Sequence, residues 1–82
     1  MITSSQLRAA RALLGLDQSE LASRSGLSAP TIQRMEASDG VIRGNVDSLV
    51  KLVAAFDEAG LAFIEDNVAS MAGGRGVRLK GT

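Results

Sequence analysis

Few residues in this chain could carry acid–base or covalent chemistry. Adjacent carboxylates occur at Asp57–Glu58 and Glu65–Asp66, serines recur along the chain, and Gly73-Gly74-Arg75-Gly76 sets a cation among glycines. Neighbouring residues on a helix or strand point in different directions, so a solvated face or a strand end accounts for both carboxylate pairs. The chain has no histidine, which removes the commonest general base and the commonest transition-metal ligand. No serine has an evident base to activate it. With no cysteine there is neither a disulfide framework nor a thiolate metal site. The glycine stretch lacks the Lys-Ser/Thr ending and the following helix of a phosphate loop, and reads as a turn between strands. The residue types argue against an enzyme and call for no metal or cofactor.

Recognition is then the chemistry to look for. Nine Lys and Arg balance nine Asp and Glu. That balance weakens any case for non-specific nucleic-acid binding, which leans on a basic surface. It leaves room for specific binding through a few well-placed arginines. With 82 residues the chain can fold alone at modest stability. Phe56 and Phe63 are its only aromatics, so Leu, Ile, Val, Met and Ala must fill the core, a composition suited to small packed helices. No apolar run approaches the roughly 20 residues of a membrane span, and the N-terminus lacks a signal-peptide pattern. The simplest reading is a cytoplasmic protein with no membrane contact.

The elements that position these residues announce themselves through caps. Thr3-Ser4-Ser5-Gln6 is a capping box, Leu7, Ala10 and Leu14 follow at helical spacing, and Gly15 ends a first helix near residues 4–14. Asp17-Gln18-Ser19-Glu20 opens a second helix that faces Leu21 and Ala22 inward and closes at Gly26. Ser28 caps a third, where Pro30 is tolerated in the first turn and Ile32 and Met35 supply the buried side. A loop from Ala37 to Gly44 leads to Asn45, the cap of a fourth helix. There Val46, Leu49, Val53 and Phe56, flanked by Val50 and Leu52, form a broad apolar stripe ending at Gly60. Beyond it the period changes, and Leu61–Asp66 and Gly76–Lys80 read as short strands.

Between Ala22, Gly26 and Ile32 the spacing is Ala-x3-Gly-x5-Ile. A small residue allows close helix contact, a glycine allows the turn, and an apolar residue anchors the next helix: the requirements of a helix-turn-helix. The run LGLDQSELASRSGLSAPTIQRME resembles the helix-turn-helix of phage repressor and Cro-like transcriptional regulators, the xenobiotic-response-element family. The resemblance covers about Leu7 to Phe56.

That resemblance implies roles. Gln18, with the N-terminal N–H groups of its helix, is similar to the family's phosphate-contacting glutamine. The helix Ala29–Ala37 would be the recognition helix in the major groove. Its outward residues would be Ala29, Pro30, Gln33 and Arg34, with Thr31 near the DNA backbone. Ala29 and Pro30 could offer only apolar contacts, so readout would rest on Gln33 and Arg34, which can pair bidentately with adenine and guanine. The alternative for Arg34 is a solvated surface arginine. Arg43, in the loop before the fourth helix, is placed for a phosphate, or is a loop charge of no consequence. Arg11 and Glu36 would form a scaffolding salt bridge between the first and third helices.

The expectation is therefore a mostly α, four-helix repressor-like domain over residues 1–60 with a C-terminal β-hairpin extension over residues 61–82. Its function would be sequence-specific binding of double-stranded DNA as a homodimeric transcriptional regulator on a near-palindromic operator. The alternatives are an antitoxin-type regulator that also binds a toxin protein, and a protein-interaction module that has lost DNA binding. The strands are the expected dimerisation element, with Phe63, Ile64, Val77 and Leu79 at the interface, because few partners for them are evident in so small a monomer. The competing arrangement folds the hairpin back on its own fourth helix.

Overall fold

A computed structural model describes residues 2–64 and 76–81. Four helices are followed by a two-stranded antiparallel hairpin: α1 (Ser4–Leu14), α2 (Gln18–Ser25), α3 (Ala29–Ala37), α4 (Val46–Glu58), β1 (Leu61–Ile64) and β2 (Gly76–Leu79). Each helix begins where a side-chain oxygen accepts a backbone N–H three residues on: Thr3, Asp17, Ser28 and Asn45 all do so. The Thr3–Gln6 capping box is complete in both directions. Between α2 and α3 the chain turns at Gly26, whose φ of 75° is the left-handed region that a Cβ disfavours.

The core is aliphatic with one large ring. Leu7 and Ala10 of α1, Leu21 of α2, Ile32 and Met35 of α3, and Leu52 and Phe56 of α4 are all essentially removed from solvent. Ile2 and Ile42 join them from outside the helices. The chain entering α1 pairs there with the loop leaving α3: the Ser4 N–H donates to the Gly40 carbonyl at 2.8 Å and the Ile42 N–H to the Ile2 carbonyl at 3.1 Å. A Thr3–Val41 bridge lies between them.

Two places depart from or add to what the sequence shows. The first concerns α4. Its apolar stripe divides into two faces: Leu52, Ala55 and Phe56 are buried, whereas Val46, Val50 and Val53 are 74, 61 and 42% exposed. On a helix the three valines share one face and Leu52 and Phe56 the adjacent one, and the rest of the fold covers only the latter. The second concerns the hairpin. Its register pairs Leu61 with Leu79 and Phe63 with Val77 within one chain. Leu61 is buried, and Phe63 and Val77 pack against the helical core. The Phe63 ring meets Phe56 edge-to-face at 5.5 Å between centroids. These residues therefore have the intrachain partners that the sequence leaves unseen. Ile64 is half-buried and Leu79 is 53% exposed.

Gln6 fastens the hairpin. Its amide Nε2 donates at 3.0 Å to the carbonyls of both Ile64 and Gly76, the paired end of the two strands. At the other end the Lys80 N–H donates to the Gly60 carbonyl at 2.7 Å and the Lys80 ammonium pairs with Asp57. The second strand ends at Leu79, one residue short of the expected Lys80. Glu65, Asp66 and the Gly73–Arg75 stretch lie outside the described residues.

Candidate nucleic-acid interface

The outer surface of the helix-turn-helix is built around a carboxylate beneath it. Glu36, in the last turn of α3, is 6% exposed. Its two oxygens accept from Arg11 Nε at 2.8 Å and Nη2 at 2.9 Å, a bidentate fork. Arg11 also donates through Nη1 to the Leu16 carbonyl at 3.0 Å, which ties the α1–α2 turn to the same cluster. The Glu36 partner holds the Arg11 guanidinium above its already high ordinary pKa, against the opposing effect of burial. Arg11 thus stays a cation at every ordinary pH. This is the pairing that the resemblance implies, and its geometry is that of a scaffold joining α1, α3 and the intervening turn.

Gln18 is the third member of the cluster. Its Nε2 donates to Glu36 Oε1 at 3.3 Å. An amide nitrogen carries two N–H donors, and the contact engages one of them and orients the side chain. Gln18 is half-buried and stands at the first position of α2, beside N–H groups that have no intrahelical acceptor. Arg8, which the sequence does not single out, donates to the Glu36 backbone carbonyl and at 3.3 Å to Ser5 Oγ. A cation on the last carbonyls of a helix also suits its dipole, so Arg8 holds the C-terminal end of α3 against α1.

On α3 the residues separate by helical phase. Pro30, Gln33 and Arg34 are exposed on one side, while Ile32, Met35 and Glu36 point inward. Ala29 is not outward as expected. It is half-buried and packs against the core, because positions 29, 32 and 36 form one stripe along the helix. Thr31 is half-buried and engaged locally: its Oγ1 lies 2.8 Å from Ser28 Oγ and accepts from Arg34 Nη2 at 3.3 Å. Arg34 is therefore drawn toward the N-terminal turn of α3. Arg43 is exposed in the loop before α4. Of the expected interface residues, Gln18, Pro30, Gln33 and Arg34 lie on the α2–α3 pair facing solvent, with Thr31 beside them and Ala29 beneath.

Compared with known protein families, the chain matches the helix-turn-helix family over residues 7–60, most of its length. The chain belongs to the Cro and repressor-type helix-turn-helix family. Its members bind DNA and regulate transcription, and a DNA-binding transcriptional regulator is what this helix-turn-helix protein is. No curated protein matches the chain significantly. Among the described residues no cluster of potential metal ligands occurs, and no helix is long and apolar enough to cross a membrane.

Proposed function

We propose that this helix-turn-helix regulator reads a near-palindromic operator as a homodimer, with one α3 helix in each of two successive major grooves. Arg34 and Gln33 make the base contacts, Gln18 and Arg43 contact phosphates, and Pro30 lies against the groove as an apolar contact. The observation that carries this reading is the Arg11–Glu36–Gln18 cluster. It fixes α2 and α3 to α1 and holds the Gln18 amide beside the α2 N-terminus. A phosphate is the acceptor such a donor set suits. The exposed polar residues of α3 offer bidentate partners for guanine (Arg34) and adenine (Gln33).

Titration of duplexes carrying single base-pair changes tests the assignment. Arg34→Ala is expected to lose about 1–3 kcal/mol of discrimination at one position per half-site. Gln18→Ala is expected to weaken all duplexes alike, since phosphates carry no sequence information. Full discrimination in Arg34→Ala would remove Arg34 from the readout.

A further inference from the structure

Thr31 stands between the cap of α3 and the side chain assigned to guanine. Its Oγ1 lies 2.8 Å from Ser28 Oγ and 3.3 Å from Arg34 Nη2. Ser28 Oγ also accepts the Thr31 backbone N–H at 3.3 Å, the N-cap bond of the helix. Helical side chains lean toward the N-terminus of their helix, so Arg34, three positions on, reaches back over Thr31. A guanidinium only donates, and Thr31 Oγ1 therefore accepts from Arg34. The short contact with Ser28 then takes the proton of the Thr31 hydroxyl. The three groups form one chain of donors running from Arg34 through Thr31 to the helix cap, and bonds in such a chain polarise one another. Ser28 and Arg34 are exposed and Thr31 is half-buried, on the same helix that exposes Pro30 and Gln33.

From this geometry we infer that Thr31 is a positioning residue for base readout: its hydroxyl holds Arg34 ready for guanine, and it is not itself a phosphate contact. The inference rests on the base-reading role of Arg34 proposed above and adds a second residue to it. Two features carry it. The first is the supply of donors. A phosphate oxygen needs a donor, and the Thr31 proton is already engaged by Ser28. The second is the part of Arg34 that is held. The bond to Thr31 engages one N–H of Nη2, and the rest of the guanidinium fork remains for the O6 and N7 of a guanine. An arginine side chain is long and rich in rotamers, and ordering it on binding costs affinity. A guanidinium already held avoids part of that cost, but only on a duplex where Arg34 finds its guanine. The gain therefore shows as discrimination between sequences. A contact near the DNA backbone, which the family resemblance implies for Thr31, would act on all duplexes alike.

Anisotropy titrations with two duplexes test this role. One is an operator recovered by selection from a random pool, and the other is the same duplex changed at the base pair that Arg34→Ala relaxes. The quantity read is the ratio of the two dissociation constants. Thr31→Val keeps the branched shape and deletes the hydroxyl. It should lower the ratio by about two- to tenfold, from the cost of ordering one flexible side chain, with binding to the changed duplex near that of the wild type. Thr31→Ala, a better helix former, should give the same lowered ratio, whereas Thr31→Ser keeps the hydroxyl and should keep the ratio. In an Arg34→Ala background Thr31→Val should lower the ratio no further, because the group it positions is gone. A thermal melt of each protein separates loss of fold from loss of readout. Thr31→Val and Thr31→Ala variants that keep the wild-type ratio overturn the inference. Variants that weaken both duplexes equally also overturn it and return Thr31 to the DNA backbone. A further fall of the ratio in the Arg34→Ala background overturns it as well. Arg34→Ala with full discrimination removes the reading on which the inference rests and the inference with it. Arg34→Ala that loses discrimination while Thr31→Val keeps it overturns the role of Thr31 alone.

Discussion

Removing Arg11 tests the scaffold beneath the recognition surface. Arg11→Met keeps the aliphatic length of the side chain and deletes the guanidinium. Glu36, 6% exposed, would then lose both short charge-assisted bonds and keep only the Gln18 amide at 3.3 Å. The Leu16 carbonyl would lose its donor as well. Breaking a buried ion pair from one side costs about 3–5 kcal/mol. Arg11 is 24% exposed, so water can reach part of the gap and the lower end, about 3 kcal/mol, is expected. A chain of this length has a total stability of about 4–12 kcal/mol. The loss is therefore a large share of the whole, and at roughly 4–8 °C per kcal/mol the midpoint should fall by about 12–24 °C. Urea denaturation followed by circular dichroism gives the free energy directly. The partner test is Arg11→Met with Glu36→Leu, which removes the stranded charge together with its counterion. The double variant should recover most of the loss, because the penalty lies in the uncompensated carboxylate and not in an ion pair of great intrinsic worth. A single variant that loses under about 1 kcal/mol, or a double variant as unstable as the two singles added, would refute this account of the cluster.

Other expectations follow from the same contacts. Gln6→Leu removes both bonds to the paired end of the hairpin and half of the α1 capping box, and should cost about 1–3 kcal/mol; amide exchange should show the loss concentrated at Ile64, Gly76 and the start of α1. Gly26→Val should destabilise by about 1–2 kcal/mol through backbone strain alone, because a Cβ at that position meets nothing within 4 Å; Gly26→Asn should cost less, and an unchanged melt for Gly26→Val would put the turn elsewhere. Phe63→Ala should cost about 3–5 kcal/mol by opening a cavity beside Phe56, measured by denaturation; a near-neutral result would mean that the hairpin does not dock on α4 in solution.

What could be read from the sequence was whatever is local. Four N-caps fall where the Thr, Asp, Ser and Asn residues stand, since a cap is a contact across three residues, and the α3 boundaries follow directly from Ser28 and Pro30. The Arg11–Glu36 pair became visible only through a family resemblance, because its partners lie 25 residues apart. Gln6 shows the same limit more sharply: the capping role is legible at three residues, while its bonds to Ile64 and Gly76 span 58 and 70. Arg8 leaves no local signal at all for its contact with the Glu36 carbonyl. Periodicity misled at two places for one reason. It marks which residues share a face, not which face the fold covers. Ala29 fell on the inner stripe with Ile32, and the valines of α4 fell on a face left largely exposed.

The most direct test of DNA recognition by this surface is selection of bound duplexes from a random pool at low salt. The account predicts enrichment of a near-palindrome whose half-site centres lie about 34 Å apart, one turn of duplex. It also predicts that Arg34→Ala, taken through the same selection, enriches sites relaxed at one position in each half. A pool that stays random after repeated rounds with folded protein would contradict it.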